Sequence, residues 1–233
     1  MAWSGGKDSA LALARLRADS SYEVVGLLTA VTKDFDRVSI HGIRRSILVA
    51  QANRLGLPLF EAAVQHGADN ASYESSWARA LALARSTLGA VNAVAYGDLF
   101  LEDVRAYRER QCAELGVEPI FPVWGEPTLL LAQRAIREGY VAYLTCVDTS
   151  QLAGSFAGRA FDAELLADFP ESVDSCGERG EFHTCVVGAP IFSAPVDVSR
   201  GETLLRDHRF QYCDLVPREE LDLGRQKYQF STS

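Results

Sequence analysis

The alternation of apolar runs with helical patterns constrains this chain more than any other feature. Glu23 to Val31 reads Glu-Val-Val-Gly-Leu-Leu-Thr-Ala-Val, a continuous apolar run that suits a strand buried on both faces. Leu59 to Val64, Val91 to Tyr96 and Ile120 to Val123 read as further strands. Between them, helical spacing runs from Ser9 to Arg17 (Leu11, Leu13, Leu16), Gly42 to Leu55, Tyr73 to Leu88 and Leu101 to Leu115. Gly56 and Gly89 stand where two of these helices should stop. Repeated β–α–β implies a parallel sheet, and right-handed crossovers put helices on both of its faces. The polar stretches Thr32 to Ser39 and Gln65 to Ala71 are predicted as loops, mobile without ligand. Only Met1, Ala2 and Trp3 precede the first glycine turn, whereas strands commonly run about 5–6 residues. A short first strand is therefore expected, with the natural start of the chain upstream of Met1.

The rhythm changes around Gly125-Glu126-Pro127. Thr128 to Glu138 reads as a helix, Tyr140 to Val147 as a strand and Phe161 to Phe169 as a short helix. A glycine-rich turn covers Cys176 to Gly180. Thr184 to Val187, Ile191 to Val198 and Phe210 to Val216 read as strands. The predicted organisation is a nucleotide-binding domain over 1–125 and a smaller α+β acceptor domain over 126–233. The polar tail Arg218 to Ser233 is expected to be partly disordered.

The hexapeptide Ser4-Gly5-Gly6-Lys7-Asp8-Ser9 lies where a strand hands over to a helix. Glycines let the backbone approach an anion closely, and the following helix offers free N–H groups and the positive end of its dipole. Lys7 supplies a point charge, Ser4 and Ser9 supply hydroxyls, and Asp8 is placed to hold Mg²⁺. The Gly-x-x-x-x-Gly-Lys-Ser/Thr spacing of a Walker loop is absent. The competing reading, a solvated turn capping a helix, does not need the apolar helix that follows.

Charge and cysteine usage narrow the partners. The net charge of −8 over 233 residues lacks the basic footprint of a nucleic-acid binder. No run approaches the roughly 20 apolar residues that span a bilayer, and no signal peptide is expected ahead of the glycine turn. Cys112, Cys146, Cys176, Cys185 and Cys213 include no Cys-x-x-Cys pair, which reads as reduced thiols in a cytoplasmic protein. The spacing of Cys176, His183 and Cys185 is poor for zinc, which favours a tight ligand pair.

The Ser4–Ser9 hexapeptide resembles the fingerprint of PP-loop ATP pyrophosphatases. Three further segments narrow the resemblance: Tyr-Gly-Asp-Leu-Phe-Leu-Glu-Asp-Val-Arg-Ala-Tyr-Arg-Glu-Arg-Gln-Cys (96–112), Pro-Ile-Phe-Pro-Val-Trp-Gly-Glu-Pro-Thr (119–128) and Cys-Gly-Glu-Arg-Gly-Glu-Phe-His-Thr (176–184). Together they are similar to the diphthine–ammonia ligase family and its bacterial relatives, over nearly the whole chain. The resemblance implies a five-stranded parallel, doubly wound sheet of the HUP-like (adenine nucleotide alpha hydrolase-like) kind with a smaller C-terminal α+β domain. It also implies ATP with Mg²⁺, a carboxyl-bearing acceptor activated as an acyl-adenylate, and ammonia or an amine that displaces AMP. In the diphthamide enzyme the acceptor is diphthine on elongation factor 2. His183 stands where the eukaryotic and archaeal enzymes carry a second glutamate, so the ATP chemistry carries over more directly than the acceptor.

The candidate site follows from these readings. Lys7, Asp8, Glu181 and His183 are the catalytic candidates, with Asp8 also the metal ligand. Ser4, Gly5, Gly6, Lys7, Asp8, Ser9 and Gly97 are assigned to the nucleotide, and Asp98, Asp103, Arg105, Glu178 and Thr184 to the acceptor. Gly97-Asp98 follows a strand, where ligands bind in open α/β sheets; a capped turn is the competing reading. Glu102, Asp103, Arg105 and Arg108 would otherwise be exposed ion pairs at helical spacing. His41-Gly42 is expected to open a helix. Glu181 and His183 should share one face of an extended run, with Phe182 anchored on the other. Replacing Lys7 is expected to abolish ATP use while leaving the fold intact. Two alternatives remain: a PP-loop enzyme that inserts sulfur or an amine into tRNA, and a non-catalytic ATP-binding protein. A homodimer is compatible with every one of these.

Overall fold

The computed structural model describes residues 1–32, 34–38 and 41–218, so the expectation for the tail beyond Arg218 lies outside the described residues. The first half alternates helix and strand: α1 (Lys7–Ala18), β1 (Leu27–Thr32), β2 (Arg37–Val38), α2 (Arg45–Leu55), β3 (Leu59–Val64), α3 (Asn70–Leu88), β4 (Ala93–Ala95), α4 (Glu102–Leu115) and β5 (Glu118–Ile120). The second half holds α5 (Thr128–Arg137), β6 (Val141–Asp148), α6 (Ala163–Asp168), β7 (Phe182–Gly188), β8 (Val198–Arg206) and β9 (Phe210–Pro217).

β1 pairs parallel with β3, Leu27 opposite Leu59 through Thr32 opposite Val64, and β4 pairs parallel with β5. The backbone of Met1–Trp3 lies between these two ladders. Ala2 donates to Ala95 O (2.8 Å), Trp3 donates to Leu28 O (2.8 Å), and Leu28 donates to Met1 O (2.9 Å). Ala2 forms only an isolated parallel bridge with Leu28, so the first extended segment is short, as its length requires. The second half forms a separate antiparallel sheet in the order β7-β6-β9-β8. The fold is thus mixed α/β, with parallel ladders first and an antiparallel sheet after. No described helix is long and apolar enough to cross a membrane.

Three local readings are corrected. Thr32 to Ser39 is not simply a loop: Arg37–Val38 turn back antiparallel on Val31–Thr32. The segment that follows is tied back in turn, by Val38 N–H to Ile43 O at 2.8 Å. Its ends are tied down too, because Arg37 and Arg44 both pair with Asp214 of β9 (2.7 and 2.6 Å). His41-Gly42 does not open α2, which begins at Arg45; Gly42 has φ +68°, and a Cβ there would meet the Tyr212 ring at 2.6 Å. Ile191 to Val198 is not a strand. Phe192 and Val196 are single buried anchors of a loop, and the apolar residues fastened it to the core without alternating. The true strand β8 follows as an exposed edge, polar enough to escape an apolar search.

Two clusters make the core. One packs α1 and α2 together with α5 and the antiparallel sheet, from Leu13, Leu27 and Ile47 to Leu144, Phe182 and Val186. The other packs α3 and α4 against the opposite face of the parallel ladders, through Phe60, Trp77, Leu81, Val94 and Cys112. The first cluster draws its members from both halves of the chain, and this brings β7 against the start of α1.

Candidate active site

The glycine turn is shaped by what crowds it. Gly5 has φ +80°, and a Cβ there would press on Gln51, Leu48 and Ile43 at 3.0–3.1 Å. Gln51, fully buried in α2, accepts the Trp3 indole N–H (2.9 Å) and donates to Gly5 O (3.0 Å) and Val186 O (2.7 Å). One amide therefore fixes the turn relative to both α2 and β7. Sequence reading missed Gln51, although a polar side chain four residues from both Ile47 and Leu55 on an apolar stripe was a signal. Gly6, the N-cap of α1, has no side chain to cap the helix, so the positive end of its dipole faces the space that Lys7, Asp8 and Ser9 line.

β7 closes the other side of that space. Lys7 N–H donates to Thr184 Oγ1 at 3.1 Å, and Lys7 Nζ donates to Cys176 O and pairs with Asp8 Oδ2 at 3.0 Å. The ammonium sits 5.2 Å from the Phe161 ring and 5.4 Å from the Phe182 ring. A cavity of about 570 Å³ results, bounded by the glycine turn, the ends of β1 and β4, α3, α4 and the 176–184 segment.

The chain matches two family models that bear on this arrangement: Diphthamide synthase N-terminal domain over residues 1–119 and Diphthamide synthase C-terminal domain over residues 128–216. The chain belongs to the diphthamide synthase family. No curated protein matches it. Membership points to an ATP-using amidation enzyme.

In this family member the cavity gathers most of the residues singled out from sequence. Ser4, Gly6, Lys7, Asp8, Ser9, Gly97, Asp98, Glu178, His183 and Thr184 all line it. Asp103 and Arg105 do not. Asp103 is exposed, and Arg105 pairs with Glu109 (2.8 Å) while stacking on Phe121 and Trp124. Arg108 is the charged α4 side chain that lines the cavity, beside Val104 and Tyr107. It lies 3.6 Å from Asp98 and 5.0 Å from the Tyr96 ring. Glu181 does not line the cavity either: it is 1% exposed, and its Oε1 accepts the Asp174 N–H at 2.8 Å. Phe182 is buried as expected, but it lies beneath the Lys7 ammonium instead of pointing away from the site. Gly97 admits the protein's own backbone, since a Cβ there would fall 2.8 Å from Asp8 C and Ser9 N.

The electrostatics follow from burial. Desolvation works against the charge on Lys7, but Asp8 and its hydrogen bond more than offset it and raise its pKa. Asp8 itself is raised, by desolvation against the opposing pull of Lys7. Burial, reinforced by Lys7, lowers His183 to about 4, and His41, whose ring centroid lies 4.4 Å away, is lowered well below its ordinary value. Both imidazoles are therefore neutral at pH 7. Burial pushes Glu178 up to about 7, helped by Asp8 and Asp98 and opposed by the Leu99 N–H.

Asp8 Oδ1 is buried without a hydrogen-bond partner. Among the described residues no group of three or more His, Cys, Asp or Glu side chains could cage a metal. Mg²⁺ in nucleotide sites usually takes one or two carboxylates, with phosphates and water completing its shell. A single spare oxygen on Asp8 fits that role and no more demanding one.

Proposed function

We propose that this chain is an AMP-forming, ATP-dependent C–N ligase: it transfers adenylate to a carboxyl-bearing acceptor, releases pyrophosphate, and lets ammonia or an amine displace AMP. In this reading residues 1–125 bind ATP and residues 126–233 shape the acceptor side. Met1–Trp3 is the central strand of one five-stranded parallel sheet, joining β1 to β4, with the phosphates at its carboxyl end.

The observation that carries the reading is the hydrogen bonding of Lys7 to Thr184 and to Cys176 O. These bonds bring the glycine turn and the 176–184 segment to one cavity, which supports a shared site for nucleotide and acceptor. The N-terminus of α1 and Ser4, Gly6 and Ser9 receive the phosphates, and Lys7 offsets negative charge that builds up as the α,β-bond breaks. Asp8 would hold Mg²⁺, which supplies charge neutralisation of the departing pyrophosphate. Asp98, Arg108, His183 and Thr184 line the space left for the acceptor. The neutral His183 sits where a second glutamate would favour a cationic acceptor, which supports a carboxylate different from diphthine.

The test is product analysis. Purified protein with MgATP, ammonium and a panel of carboxylic acids should yield AMP and pyrophosphate in step with amide. ADP as product, or AMP formed only with tRNA, would rule the reading out. Nucleotide binding with no turnover on any acceptor would favour a non-catalytic role.

A further inference from the structure

Glu178 stands in the turn between Gly177 (φ +73°) and Gly180 (φ +85°), and it is held from the opposite wall. Its Oε1 accepts the N–H of Leu99 at 2.7 Å and that of Phe100 at 3.4 Å. Oε2 makes no hydrogen bond among the described residues and is not one of their buried unpaired atoms. The side chain lines the cavity that holds Lys7, Asp8 and His183. Two backbone amides thus fix the carboxyl group and leave one oxygen open to the space where an acceptor and an amine would meet.

The other candidates for a proton acceptor are engaged or too weak. Glu181 is buried outside the cavity lining, with Oε1 accepting from Asp174 N–H and Oε2 shut away from the space. Asp98 lies against Arg108, and Asp8 against Lys7. His183, at about 4, binds a proton poorly at neutral pH.

Resting on the ligase reading above, we propose that Glu178 is the catalytic base that takes the proton from the attacking amine. Ammonia arrives at neutral pH mostly as ammonium. One N–H proton passes to Glu178 Oε2, and its electron pair stays on nitrogen. That pair forms the C–N bond to the activated carbonyl carbon. The bond from that carbon to the adenylate oxygen breaks, and its pair leaves with AMP. The second proton shed by nitrogen goes to solvent, and Glu178 returns its own to solvent before the next turnover. The charged groups near Glu178 are Lys7 and Asp8 of α1, Asp98 of the β4–α4 link and Asp174, which accepts its backbone N–H; the Cys176 thiol in its own turn is kept neutral by burial. Burial and the two aspartates outweigh the amide donors and bring its pKa to about 7, where a carboxylate is matched to this transfer.

Glu178→Gln tests the assignment, because a carboxamide oxygen still accepts from Leu99 and Phe100 and the fold should survive, as a melting curve would verify. The first readout needs no acceptor. With a non-hydrolysable α,β-methylene ATP bound, the ¹³C-carboxyl signal absent from the Glu178→Gln protein should titrate near neutrality in the wild type. A midpoint near the ordinary glutamate value of about 4.3 would overturn the proposal. The second readout uses whichever carboxylic acid best supports AMP release. Amide formation from ammonium should fall about 10²–10⁴-fold in the variant, whereas with hydroxylamine, unprotonated at neutral pH, the deficit should shrink below about tenfold. An equal deficit with both nucleophiles, or none with ammonium, overturns it. Absence of AMP release by the wild type on every acid would instead overturn the ligase reading, and the titration would still report on Glu178.

Discussion

The backbone N–H of Lys7 donates to Oγ1 of Thr184 at 3.1 Å, across 177 residues of sequence. Gly6 permits the approach, since a Cβ there would lie 3.0 Å from Thr184 O. The glycine turn therefore owes its placement partly to a strand in the other half of the chain. Thr184→Val keeps the volume and leaves the Lys7 N–H buried without an acceptor, which should cost about 1–3 kcal/mol. Thr184→Ser should lose much less. Urea denaturation of the two variants measures this, and equal stability of the valine variant and the wild type would contradict it.

Lys7 is not the surface lysine its sequence context suggested. It is 1% exposed, so Lys7→Ala should not leave the fold untouched. Removing one partner of a buried ion pair typically costs about 3–5 kcal/mol; Asp8 keeps 26% of its side-chain exposure, so roughly 1–3 kcal/mol is expected, in line with an unsatisfied polar group. ATP-dependent turnover should fall by about 10²–10³-fold or more, on the scale of one lost transition-state donor. Adding Asp8→Asn to Lys7→Ala should return stability without returning turnover. Melting temperature and AMP release, measured on the same samples, separate the two effects.

Gly97→Ala should disturb ATP use through the protein's own backbone. The added Cβ would stand 2.8 Å from Asp8 C and from Ser9 N, and neither neighbour is the flexible end of a side chain. Displacing α1's first turn should cost about 1–3 kcal/mol, the usual scale of overpacking, and weaken nucleotide binding. Calorimetric titration with ATP checks this; unchanged affinity and stability would mean the turn is softer than its contacts imply.

The parallel half was legible because its strands are apolar on both faces, as in Leu27–Thr32, and its helices end at glycines such as Gly56. The glycine turn into α1 was legible because Gly5-Gly6-Lys7 has a local physical meaning. What could not be read were tertiary facts. Nothing near Glu181 says that its carboxylate turns inward to Asp174 while Glu178, three residues earlier, faces the cavity. Arg105 and Arg108 are equally plausible from sequence, and only the packing of Phe121 and Trp124 draws Arg105 away. The strand β8 was missed because an exposed edge carries no apolar period, and Phe192 and Val196 imitated a strand because two anchors of a loop happen to be apolar.

The paired imidazoles give the last prediction, a loss of stability on mild acidification. His183 is lowered to about 4 in the folded protein, against about 6.5 in an unfolded chain. Between those values the unfolded state binds the proton and the folded state does not, so stability falls as pH falls. The contribution is fully present above about 6.5 and is lost progressively toward about 4. His41 adds to the same trend, since burial also lowers it well below its ordinary value, with His183 and Lys7 adding to the effect. Chemical denaturation at steps from pH 7.5 to 5 should show wild-type stability dropping more steeply than that of His183→Gln, by up to about 1.4 kcal/mol per pH unit for one proton. The glutamine variant, lacking the proton uptake, should be relatively more stable at pH 5 than at pH 7.5. Parallel curves for the two proteins would mean that His183 is protonated in the native state as readily as in the unfolded one, and that the pocket against Lys7 is wetter than its geometry implies.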